Sequence, residues 1–558
     1  MTARTVAGRL LEVVAHHGVT TAFGLPGVHN LAFWRARAEL AARSAGGADE
    51  EGWPLPPDLV TVRHEATAAY AADGLARATG GLGIALVTSG PGAANTLAAV
   101  GEAAASRSPV VVIASDVPSG LRAPRRVRGL LHESADQGAL FAPLVKSVLQ
   151  PEDAESTVAA VALAVQKALT PPFGPVYLGV ASDILDQPPP DHELDAPRPR
   201  QPRVPTAPEV AVAAELVNSC DRPVIWAGGG VVAASASSAL DALAWRIGAP
   251  VVTTFAGRGC LPPGHPLLVD VPPHEPVVDQ LLRDADLLLV LGSALDGMTT
   301  RNWTMPRPAR VIDVNVAPSG ELQPDVTVIA DVATTIDALA LRLRPRAPWA
   351  DTPYALRDQV RNSVREDPRT TTAANLLDAV EQTWPDDGFI SCDMAVAGYW
   401  VGGYAQLSRP RQLAYPVGWG TLGFGLPAAL GAATTGRPTL AVVGDGGLAM
   451  GLGELATLVQ EDLPVTVLVV DDGGYGMLRF DDAQHGSTAG GLDLRSPDWR
   501  SLATSFGMRG YEIAGESPPV DGLVAALSDA AASGGPSLVV WREALFPPRT
   551  TSPRWREG

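Results

Sequence analysis

The strand-like runs of this chain are apolar on both faces, and that restricts the fold more than any other feature. Residues 83–90 (GIALVTSG), 109–116 (PVVVIASD), 286–293 (DLLLVLGS) and 464–472 (PVTVLVVDD) show almost no alternation of apolar with polar positions. Strands of that kind must be covered from both sides. Ala- and Leu-rich stretches lie between such runs, among them 93–106 (AANTLAAVGEAAAS) and 452–461 (LGELATLVQE). Strands alternating with helices predict an α/β fold of mostly parallel sheets flanked by helices. Two proline-rich stretches, 187–208 and 344–353, interrupt the pattern and read as extended linkers. They predict three domains, at 1–186, 209–343 and 354–546.

Composition removes several classes of function. A net charge of -18 repels phosphate backbones, so nucleic acid is not an expected partner. Cys220, Cys260 and Cys392 are far apart and form no CxxC pair. A disulfide framework or zinc site is therefore not expected, and a reducing cytoplasm is. The opening stretch 1–19 is broken by Arg9, Glu12, His16 and His17, unlike a signal peptide. No apolar run approaches the roughly 18 residues that suggest a membrane span.

The chemistry is concentrated near the end of the chain. Val442-Val-Gly444-Asp445-Gly446-Gly447 is followed, after a helical stretch, by Val470-Asp471-Asp472-Gly473-Gly474-Tyr475-Gly476. Each cluster ends an apolar strand. Neighbouring parallel strands bring Asp445 and Asp472 to one sheet edge, where ligands bind in open α/β sheets. Two carboxylates, a backbone carbonyl and phosphate oxygens make a hard octahedral set suited to Mg²⁺. The glycines let backbone approach a phosphate closely. A lone GDG is more often a solvated turn; a second acidic–glycine cluster one strand–helix–strand unit later favours a magnesium–diphosphate site.

This pair of clusters resembles the signature of thiamine-diphosphate-dependent enzymes. The resemblance runs through all three blocks, to acetolactate synthases, benzoylformate decarboxylase and specialised 2-oxo-acid decarboxylases, including 2-ketoarginine decarboxylase. The first block carries Phe23-Gly-Leu-Pro-Gly27, Arg63-His64-Glu65, Ala71-Ala-Asp-Gly74 and Thr88-Ser-Gly-Pro-Gly92. The second carries Ala227-Gly-Gly-Gly230 and Gly257-Arg-Gly-Cys-Leu-Pro262, and the third adds Gly420-Thr-Leu-Gly-Phe-Gly-Leu-Pro427. It implies two thiamine-diphosphate-binding domains around a central Rossmann-like domain. The family usually has two asparagines where this chain has Asp471–Asp472; a carboxylate still donates a hard oxygen.

Carried over by position, the resemblance implies metal ligation by Asp445, Asp472 and the carbonyl of Gly474. It implies cofactor contacts from Asp393, Gly420, Leu422, Gly446, Gly447, Tyr475 and Gly476, with Leu422 holding the cofactor bent. Glu65 is implied to hold the aminopyrimidine, so that the cofactor activates its own thiazolium carbon and accepts the electrons released with CO2. His132 and Gln137, in 130–137 (LLHESADQ), and His29, in 26–30 (PGVHN), are candidates for handling substrate protons. Structural roles for these histidines are the competing reading. Leu478 replaces the glutamate of pyruvate decarboxylases, and Thr88 the histidine of benzoylformate decarboxylase, so neither substrate transfers.

The resemblance further implies a 2-oxo acid substrate and a homo-oligomer, dimer or tetramer, with sites at the subunit interface. Acetolactate synthase-like carboligation and simple decarboxylation to an aldehyde both stay open. So does a structural FAD across the central block, near 228–230 and Asp296. Two rivals have weaker support. Gly418-Trp-Gly-Thr-Leu-Gly423 is a formal GxGxxG for a nicotinamide oxidoreductase, but such triplets recur by chance in glycine-rich chains. A non-catalytic binding module of the same fold could dispense with Glu65 and the acidic pair, yet all are present.

Overall fold

The computed structural model describes residues 5–44, 55–123, 126–190, 201–321, 323–350, 353–513 and 520–551. Three sheets are arranged along the chain, and every ladder between their strands is parallel. The first runs, across its width, Asp58–Thr61, Thr21–Gly24, Gly83–Val87, Val110–Asp116, Val176–Ala181, Val148–Leu149. The second runs Val326–Ile329, Arg310–Asn315, Leu287–Leu291, Pro223–Ala227, Val251–Thr253. The third runs Leu413–Ala414, Phe389–Cys392, Thr439–Gly444, Val465–Asp471, Ser537–Arg542, Arg509–Ile513. The fold is α/β, three domains each built on a parallel sheet flanked by helices.

The apolar runs behave as their composition requires. Val465–Asp471 is buried at all seven positions and Val110–Asp116 likewise. Each Val or Leu so buried contributes roughly 1.5–3 kcal/mol, which holds a sheet covered on both faces. The first and third units share one core, because helix Glu65–Thr79 packs on helix Gly425–Ala433. Their backbones nearly touch. A Cβ on Gly74 would overlap the carbonyl of Ala428, and one on Gly431 would overlap that of Ala71. Glu65 opens the first of these helices.

Both proline-rich stretches are partly built into the neighbouring structure. Helix Ala207–Ser219 starts inside the stretch 187–208, because Thr206 and Glu209 form a capping box and Pro208 suits the first turn. Residues 191–200 lie outside the described ones. Residues 344–350 pack on the central unit: Trp349 Nε1 donates to Pro223 O (2.7 Å) and Arg346 N to Arg246 O (3.0 Å). A half-buried indole needs such a partner. No helix among the described residues is long and apolar enough to cross a membrane.

Candidate functional site

Strand Thr439–Gly444 passes directly into helix Asp445–Met450, and Val465–Asp471 into a glycine turn. Gly444 pairs with Val470 across the ladder, so Asp445 and Asp472 leave the sheet at the same edge. One cavity is lined by both, together with Leu422, Gly446, Gly447, Gly474, Tyr475 and Gly476. One of the glycines is obligatory and another is closely packed. Gly474 has φ +153°, and a Cβ there would overlap the carbonyl of Leu492; one on Gly476 would overlap Oδ2 of Asp472.

Charge at this edge is unbalanced. Burial, then Asp471 and Asp472, push the Asp445 carboxyl up to about 6. Asp472 is also raised by burial, with Arg479 opposing. Asp471 differs from both. Its Oδ2 accepts from Trp499 Nε1 (2.8 Å) and Arg542 Nη1 (2.9 Å), its Oδ1 from Ser496 Oγ (2.7 Å) and Gly473 N (3.0 Å). It anchors the strand end, while Asp472 lines the cavity. Asp445 has no ion pair among the described residues; Ser496 Oγ lies at 3.5 Å. Two converging carboxylates with raised pKa fit a divalent cation. No group of three His, Cys, Asp or Glu poised for a metal occurs among the described residues. A cation here therefore needs further oxygens, and a diphosphate supplies them.

Asp393 and Gly420 stand outside the cavity lining. Asp393 is fully buried, which lifts its carboxyl to about 6. It accepts from Met394 N (2.7 Å), Gly423 N (3.0 Å) and Gly425 N (3.4 Å). The carboxylate thus grips from behind the loop that presents Leu422. Gly420 sits in that loop at φ +78°.

The first unit gathers a second cluster around residues 88–95. Asn95 Nδ2 donates to Glu65 Oε2 (2.9 Å), and a Cβ on Gly92 would stand 3.3 Å from Glu65 Oε1. Ser89 Oγ lies 2.6 Å from His29 Nδ1 and 3.3 Å from His132 Nδ1. The two imidazoles meet edge-on, centroids 5.5 Å apart. Burial and then His132 hold the His29 pKa below its ordinary value, with Asp116 opposing. Gln137 is buried and its amide is shared among protein groups: Oε1 accepts from Gly90 N (2.6 Å), and Nε2 donates to Ser115 O (2.9 Å) and Tyr177 OH (2.7 Å). Its geometry holds the Ser89–Gly90 turn. Glu454 of the third unit reaches across to accept from Arg63 N (3.0 Å), fixing the approach to Glu65.

A cleft of about 1780 Å³, mouth included, opens at the carboxyl ends of the central strands. Gly229, Gly230, Arg258 and Asp296 of the central unit line it, with Arg77 and Arg411 from the surrounding units. Asp296 is engaged by Thr299 N (2.8 Å) and Thr299 Oγ1 (3.0 Å), which caps a turn.

Comparison with known proteins follows the same division. Residues 4–140 match the N-terminal TPP binding domain of thiamine pyrophosphate enzymes, 210–339 the central domain and 393–541 the C-terminal TPP binding domain. The probable 2-ketoarginine decarboxylase of Pseudomonas aeruginosa is 34% identical over 90% of this chain and 88% of its own. The chain belongs to the thiamine pyrophosphate enzyme family. Within that family, a probable acetolactate synthase large subunit of Methanocaldococcus jannaschii is 28% identical, covering 91% of this chain and 87% of its own. The thiamine diphosphate-dependent 4-hydroxybenzoylformate decarboxylase of Rhodococcus jostii RHA1 superposes with a TM-score of 0.79 at 25% identity, covering 98% and 100%. The thiamine pyrophosphate family thus spans decarboxylases and acetolactate synthases around this chain.

Several residues of this family member escaped the motif reading. Ser89 and Asn95 lie in and just after the TSGPG stretch, where the glycines carry the motif and their polar neighbours do not. Arg479, Glu454 and Arg542 act across gaps that no spacing rule covers.

Proposed function

We propose that this chain uses thiamine diphosphate and Mg²⁺ to decarboxylate a 2-oxo acid in the cytoplasm, as a homo-oligomer whose sites lie between subunits. The fragment left after CO2 loss is joined to a second carbonyl or released as an aldehyde. Asp445, Asp472 and the Gly474 carbonyl hold the metal and diphosphate. Leu422 supports the cofactor's bend, backed by Asp393. Glu65, oriented by Asn95, binds the aminopyrimidine, and His29 and His132 move substrate protons across Ser89. When bound, the cofactor supplies the electrophilic carbon and the electron sink.

The observation that carries this is the cavity edge, where Asp445 and Asp472 line one cavity together with Gly446, Gly447, Gly474 and Gly476. Glu65 lines no part of that cavity in one chain. Apolar side chains stand exposed beside both clusters: Val28 (80%) and Leu131 (66%) in the first unit, Met450 (59%) and Leu478 (52%) in the third. Exposed apolar groups of that size at two halves of one site favour cover by a second copy.

Incubating the protein with Mg²⁺, thiamine diphosphate and a panel of 2-oxo acids tests the reading. The panel includes pyruvate, 2-ketoarginine and 4-hydroxybenzoylformate. CO2 release is expected, and product mass separates aldehyde from hydroxyketone; no release from any acid counts against it. The glycine turn and arginines of the central cleft favour a phosphate-bearing ligand there, and a flavin absorbance spectrum of the purified protein decides on FAD.

A further inference from the structure

The three carboxylates at this sheet edge are not equally compensated. Asp471 has its own cation, Arg542, at 2.9 Å. Asp445 has none among the described residues. Asp472 has Arg479, whose Nη1 lies 3.9 Å from Oδ1 and donates to the Asp472 carbonyl at 3.0 Å. The same guanidinium lies against Gly474, where a Cβ would overlap its Nη2. Its Nε pairs with Asp493 (2.9 Å), on the segment that bridges back to Gly474. Tyr475 N donates to Leu492 O (2.9 Å) and Leu494 N to Gly473 O (2.8 Å), so the arginine spans a turn held at both ends.

The geometry points to Arg479 as the charge counterpart of Asp472: a positioning residue that lets a site with two carboxylates accept a polyanionic diphosphate. This rests on the metal–diphosphate reading above. A diphosphate brings further negative charge to an edge already carrying Asp445 and Asp472, and one divalent ion leaves that assembly anionic. A guanidinium against the loop offsets one charge without entering the cavity, whose lining contains Tyr475, Gly476, Met477 and Leu478 but not Arg479. The exposed Asp493 is a weak partner that does not cancel the arginine's charge.

Binding of thiamine diphosphate to the full-length protein, followed by calorimetry with and without Mg²⁺, tests this in four variants. Arg479→Met is expected to weaken binding about tenfold, on the scale of coupling between contacting charged groups. In the Asp472→Asn background the same change should cost under about threefold, because the charge to be offset is gone. Arg479→Lys should recover most of the affinity in the Asp472 protein, since it keeps the cation. Equal losses in both backgrounds, or no loss in either, overturn the assignment and leave the metal reading standing. A wild-type protein without Mg²⁺-dependent binding overturns both.

Discussion

The edge of the third sheet and the cluster around Ser89 solve the same problem, placing polar groups where a ligand can reach them, by different means. The edge is made of two strand ends and the turns that follow them, with Asp445 and Asp472 brought together by the Gly444–Val470 register. The first-unit cluster draws Glu65, Asn95, Ser89, His29, His132 and Gln137 from four loops and helix ends. At the edge, position comes from the ladder and charge is left unbalanced. In the cluster, position comes from side-chain hydrogen bonds, and nearly every polar group is already engaged. A ligand with its own positive charge suits the first place; a group that must be aimed suits the second.

The largest effect expected is at Glu65. Glu65→Gln keeps the shape and the Asn95 contact but removes the charge, and should lower kcat by about 10²–10⁴-fold. Thiamine diphosphate affinity should change little, because the edge is untouched. Steady-state kinetics beside calorimetry check this, and a variant retaining near-normal turnover would remove Glu65 from the mechanism. Asp445→Ala breaks the comparison from the other side. It should weaken Mg²⁺-dependent cofactor binding by about 2–5 kcal/mol, the range for losing one member of a buried charge pair. An unchanged dissociation constant would contradict metal binding at this edge.

That contrast also explains what could be read from the chain alone. The three parallel-sheet units were legible because strand segments such as 110–113 and 467–470 are apolar throughout, and only double cover tolerates that. The edge was legible because both aspartates sit beside glycines at strand ends, where connectivity alone sets their proximity. Ser89 was not, since its contacts form only when the loops of residues 29 and 132 fold over it. Nor was the division of labour between Asp471 and Asp472. Adjacent in sequence, they point to different partners, and Trp499 and Arg542 claim the first from far along the chain.

Ser89→Ala sharpens the reading of the cluster. Losing the hydroxyl between two imidazoles leaves Gln137 holding Gly90, so the turn should persist. If protons pass along His29, Ser89 and His132, kcat should fall by about tenfold, the low end of what positioned proton transfer contributes. KM and cofactor affinity should stay near wild type. A parallel loss of cofactor binding would instead make Ser89 a purely structural part of the turn.

The smallest effect is a displacement along the pH axis. His29 titrates below its ordinary value, first because it is partly buried and second because of His132; Asp116, itself paired with Arg122 at 3.3 Å, pulls the other way. Being depressed, His29 is neutral at neutral pH and gains a proton only below its usual range. His132→Gln removes one cause and leaves burial in place, so the His29 pKa should rise toward, but not past, the ordinary value. If neutral His29 is the working form, the acid limb of the kcat/KM profile moves to higher pH by less than about one pH unit. Asp116→Asn removes the opposing influence and should move the limb the other way. Opposite shifts from the two variants tie the limb to His29; a limb that stays fixed in both assigns it to another group and separates the histidine pair from the chemistry.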